Sequence, residues 1–146
     1  MTEPNDEQLE HIAEALLREF GVVEPPVPIE SMLQTSRSGL WEYLDVSQLS
    51  GTFMKFTHMY SPRMSLARML ARMLVTTEWG KTYGIAALFK DDEDDEAVYR
   101  FARMLVMPQT MMRDLSEAAR TPSAISTRFE VPDEDARIRL QELDLL

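Results

Sequence analysis

The sequence predicts a mostly helical α+β domain carrying a small antiparallel sheet. Apolar residues recur at three-four spacing through most of the chain, and two short aromatic or β-branched runs flank Ser50-Gly51. With 146 residues, 45% of them hydrophobic and 27% charged, one domain can bury its own core. The expectation is therefore a single domain over 1–146, with 109–146 as a C-terminal helical subregion.

Taken in order, Leu9, Ile12, Ala13, Leu16, Leu17 and Phe20 form the apolar stripe of a first helix from Asp6 to Phe20, with acidic residues early and Gly21 as a stop. Glu24-Pro25-Pro26-Val27-Pro28 reads as an extended connector, because proline fixes φ and moves its predecessor out of the α region. A short helix over Ile29 to Leu33 follows. Leu40 to Leu44 and Thr52 to Thr57 are the two expected strands. Ser61-Pro62 is a helix-start signal, and the helix expected over about Arg63 to Glu78 is apolar nearly all round, as a helix buried on most sides should be. Gly80 to Phe89 fits a helix or a loop. The acidic run Asp91 to Glu96 leads into a helix bearing Val98, Phe101, Ala102, Leu105 and Val106, and its carboxylates suit the positive end of the helix dipole. Helices over about Gln109 to Ala119, Pro122 to Phe129 and Asp133 to Leu143 close the chain.

Charge and composition narrow the function classes. Fifteen cations against 25 carboxylates leave a net charge of −10, which repels phosphate and disfavours nucleic acid and anionic membranes as partners. No apolar run approaches the roughly 18 residues of a membrane span, and MTEPNDEQLE lacks the basic and apolar regions of a signal peptide, so a cytoplasmic location is expected. Without cysteine there is no disulfide, thiolate metal site or cysteine nucleophile.

Individual motifs give little chemistry. Gly80-Lys81-Thr82 resembles the end of a phosphate-binding loop, but the glycine required five residues earlier is Val75. Asp91 to Glu96 lacks the glycine and final glutamate of a calcium loop and reads as a solvated helix start. Met64, Met69 and Met73 lie at core spacing, which favours packing over a soft-metal site. His11 and His58 are the only histidines and form no pair at metal-binding spacing. The last two helices have helix-turn-helix spacing, yet Asp133-Glu134-Asp135 would meet phosphates with the wrong sign.

Several stretches in order resemble the ImmA/IrrE metallopeptidase-like family. Pro26-Val27-Pro28-Ile29-Glu30 resembles its proline-led helix start, and Leu49-Ser50-Gly51 its strand turn. The segment 63-RMSLARMLAR-72 resembles its metal-binding helix, 101-FARMLVMP-108 its Phe-Ala to Met-Pro stretch, and 129-FEVPDEDARIRLQELDLL-146 its ending. The resemblance implies a zincin-like core and a helix-turn-helix repressor as the protein partner. In the family, two histidines four apart bind zinc and an intervening glutamate is the base. Those positions align with Arg68, Met69 and Arg72, and the third metal ligand with Ala97, beside Glu96. A guanidinium has no lone pair for a metal and methionine is no base, so the expectation is a pseudoenzyme with no catalytic residue, metal or cofactor. Arg68 and Arg72 are expected to supply the cleft with positive charge, paired to Asp95 and Glu96, with Glu78 or an acidic group of another protein as alternative partners. The alternatives are a metal-dependent peptidase with a rearranged site using His58, Glu78 or Glu96, and a DNA-binding module using the C-terminal helices.

Overall fold

In a computed structural model, residues 5–35, 37–41, 59–89 and 95–146 are described. Helix α1 (Asp6–Glu19) begins with Asp6 and Glu7 in its first turn, where carboxylates suit the dipole. It ends in a Schellman motif: Gly21, at φ +68°, donates its N–H to the Arg18 carbonyl at 3.1 Å, and Val22 donates to Leu17 at 3.0 Å. The proline-rich connector then delivers Val27 and α2 (Ile29–Leu33) to the core, where Val27, Ile29 and Leu33 are fully buried.

The long helix expected from Arg63 to Glu78 is two helices, α3 (Ser61–Leu74) and α4 (Glu78–Tyr83). Two threonines break it. The hydroxyls of Thr76 and Thr77 donate back to the carbonyls of Met73 and Leu74 at 2.9 and 2.8 Å, competing with helix continuation. Thr77 Oγ1 then accepts the Gly80 N–H at 2.9 Å and caps α4. Gly80 is needed for this close approach, because a Cβ there would lie 1.8 Å from the Leu74 carbonyl oxygen. Gly84 (φ +67°) ends α4 in the left-handed region, and α5 (Ile85–Phe89) follows.

Helix α6 (Glu96–Val106) is the centre of the assembly, packing against both α3 and α1. Phe101, Ala102 and Leu105 meet Ala67, Leu70, Ala71 and Leu74 in one buried core, and the alanines let the two helices come close. After α6 come α7 (Gln109–Arg113) and a 3-10 turn over Glu117–Ala119, where one helix to Ala119 was expected. Helices α8 (Pro122–Phe129) and α9 (Asp133–Glu142) pack on each other through Ile125, Phe129, Val131 and Leu140. Arg63 fastens this pair to the rest. It donates to the Phe129 and Glu130 carbonyls at 3.0 and 2.7 Å and to the Val27 carbonyl, and pairs with Glu30 at 3.3 Å.

The expected α+β class is corrected to all-helical: among the described residues every regular element is a helix and none is a strand. Of the first expected strand, Leu40 donates its N–H to the Arg37 carbonyl in a turn, and Trp41 sends its indole N–H to the Met32 carbonyl at 2.9 Å while stacking on Phe20 at 5.7 Å. These apolar side chains are used to seal helices. An aromatic, alternating run signals a half-buried surface, and a helical neighbour satisfies that as well as a sheet face does. The rest of that strand and all of Thr52 to Thr57 lie outside the described residues, as do His58 and Asp91 to Asp94. Among the described residues no helix is long and apolar enough to cross a membrane.

Candidate functional site

Arg68 and Arg72 stand one turn apart on α3, the helix that packs most extensively against α6. Arg72 reaches the residue preceding α6: its Nη2 lies 3.3 Å from Asp95 Oδ2. The two side chains are 49% and 56% exposed, so this ion pair contributes under about 1 kcal/mol. Arg68 is different. Its guanidinium carbon sits 4.9 Å from the centroid of the Tyr99 ring on α6, and Nη2 donates to the Ser65 hydroxyl at 3.1 Å. Glu96 turns away to Arg100, at 3.9 Å, and Arg100 makes its shorter contact, 3.1 Å, with Asp6 of α1. Of the four residues singled out, the fold thus joins Arg72 to Asp95 and separates Arg68 from Glu96. Met69 is half-buried against the core, and Ala97 is buried.

Beside this face lies a junction the sequence did not reveal. Arg103 of α6 grips Glu142 of α9 through two hydrogen bonds, Nε to Oε1 at 3.1 Å and Nη2 to Oε2 at 2.7 Å. Asp135, in the first turn of α9, is half-buried there. Burial pushes its carboxyl above its ordinary value, and the charges of Arg103 and Arg68 only partly offset this. Glu134, in contrast, is exposed, and its hydrogen bond with Arg137 holds its carboxyl below the usual value. Tyr99 and Arg103 sit at unremarkable helix positions, and only packing of α6 against α3 and α9 brings Tyr99 to Arg68 and Arg103 to Glu142.

A second cleft, of about 410 Å³, opens between α1 and the end of α9. Glu7, His11 and Glu14 line it from α1, and Glu142 and Asp144 from the other side. Its floor is the most buried ion pair described: Arg139 donates through Nη1 and Nη2 to both oxygens of Glu10, at 2.8 and 2.7 Å, and through Nε to the Met107 carbonyl at 2.9 Å. Arg139 is 1% exposed. Neither partner was legible as a site residue, since the two lie 129 residues apart on different helices.

The other residues weighed in sequence are accounted for locally. Glu78 pairs with Lys81 at 3.7 Å in the first turn of α4, and His11 is exposed on the rim of the second cleft. Among the described residues no group of three or more His, Asp or Glu side chains is arranged to hold a metal ion. Asp133 and Glu134 are exposed at the start of α9, the end a DNA-reading helix would present.

No family model matches the chain, and neither a curated protein nor a solved structure matches it.

Proposed function

We propose that the chain is a catalytically inactive relative of the ImmA/IrrE metallopeptidases that acts in the cytoplasm by binding a protein, a helix-turn-helix transcription regulator, without cleaving it. One observation carries the reading. The α3 positions that resemble the peptidase ligands and base hold Arg68, Met69 and Arg72, and their side chains are engaged with Tyr99, the core and Asp95 respectively. Two guanidiniums offer donors where a metal needs lone pairs, and a thioether packed in a core takes no proton from water. What such a face can do is bind. Its arginines and exposed tyrosine are side chains enriched at protein interfaces.

Two measurements test the reading together. Elemental analysis of the dialysed protein should find less than stoichiometric zinc, and incubation with a purified helix-turn-helix repressor should give a complex on gel filtration and no fragments on a gel. One zinc per chain surviving dialysis, or cleavage of the repressor, would overturn it. The double variant Arg68→His with Arg72→His should remain inactive, because Met69 supplies no general base.

A further inference from the structure

The arginines along the α3 and α6 contact are not alike. Arg63, Arg72, Arg100 and Arg103 each have a carboxylate within 4 Å. Arg68 has none among the described residues, although it is half-buried and Arg72 stands one turn away. Its guanidinium rests on the Tyr99 ring, and one hydrogen bond, to Ser65, occupies one of its five N–H donors. Tyr99 is itself 43% exposed, so the platform opens to solvent. A planar cation immobilised on a ring with most of its fork unused has already lost the rotamer freedom that binding would otherwise cost.

We propose that Arg68, held over Tyr99 and flanked by Arg72, is the point at which a carboxylate side chain of the protein partner docks. The proposal rests on the protein-binding reading above and specifies where and by what chemistry. Both a carboxylate and a phosphate group match the guanidinium fork, but a carboxylate fits better because it brings only a single negative charge into a neighbourhood that already holds Asp95, Asp135 and Glu142 in a chain of net charge −10. The weak Arg72–Asp95 pair can exchange its carboxylate for an incoming one at little cost. Asp135 is the internal competitor. The charge of Arg68 acts on its carboxyl, and the hydrogen bond of Arg68 goes to Ser65 instead.

The test is an NMR titration of the full chain, following the Arg68 Nε–H and Tyr99 ring signals, with acetyl-glutamate-amide, the neutral acetyl-glutamine-amide, and inorganic phosphate. The glutamate compound should give saturable shifts with a dissociation constant on the order of 1–10 mM, as expected for one ion-paired contact. The glutamine compound should give none. Arg68→Gln should abolish saturation while keeping the melting temperature, Tyr99→Leu should weaken it several-fold, and Asp135→Asn should tighten it by removing the competing charge. Absence of saturation, equal response to the glutamine compound, tighter binding of phosphate, or unchanged binding by Arg68→Gln would each overturn the assignment. Zinc content and repressor cleavage, which decide the parent reading, are independent of all four.

Discussion

Replacing Arg139 by methionine should be the most damaging single change on α9. The side chain is 1% exposed and makes three charge-assisted hydrogen bonds, two to Glu10 and one to the Met107 carbonyl, so the substitution keeps most of the volume and removes every polar contact. What remains is a carboxylate on α1 in a residue only 9% exposed, and a carbonyl in a residue with no exposure. Breaking a buried pair by removing one partner costs about 3–5 kcal/mol, most of it the desolvation of the stranded charge. For a chain of this size that corresponds to a fall of about 10–15 °C in melting temperature. Urea denaturation followed by far-UV circular dichroism gives the free energy, with Glu10→Met and the double variant completing a cycle. The double variant should recover about half of the loss, because its remaining defect is the Met107 carbonyl, at about 1–3 kcal/mol. If Arg139→Met costs under about 1 kcal/mol, the pair behaves as a surface bridge and the burial argument fails.

Two further changes probe the helix junctions. Gly80→Ala should destabilise the protein by about 2 kcal/mol or more, since the new Cβ meets the Leu74 carbonyl oxygen at 1.8 Å and overpacking outweighs the roughly 1 kcal/mol helix preference of alanine; a stabilised variant in a urea melt would refute the close-approach reading. Asp135 binds its proton more tightly folded than unfolded, because burial raises its carboxyl. Its contribution to stability is therefore fully present below the ordinary carboxylate range and is lost as pH rises through the raised value. Asp135→Asn should flatten the decline of stability across that window and stabilise the protein at neutral pH, and urea melts at a series of pH values from about 3.5 to 7 would show it. A variant equally pH-dependent would refute the raised carboxyl, and one less stable at neutral pH would assign the carboxylate a stabilising role.

Periodicity along the chain is local information, and it sufficed for α1, α2, α6, α8 and α9 to within a few residues. Their apolar stripes at three-four spacing have one way to be buried, and Gly21 marks the end of α1 and Pro122 the start of α8. The sequence also determined that α3 carries guanidiniums and a thioether at positions 68, 69 and 72, which settles what those side chains can donate or accept before any fold is known. Where local signals compete, the tertiary structure decided. Thr76 and Thr77 suit a helix interior or a break, and it is the approach of Gly80 to Leu74 that makes them a break. Leu40 and Trp41 read as strand because they are large and apolar, and the carbonyl of Met32 and the ring of Phe20 turned them to a helical surface. The charge partners were the least legible. Arg139 and Glu10 are 129 residues apart, and Arg72 chose Asp95 while Glu96 went to Arg100. An ion pair is a contact between surfaces, and which surfaces meet follows from how hydrophobic stripes pack, so no periodicity within one helix encodes its partner on another.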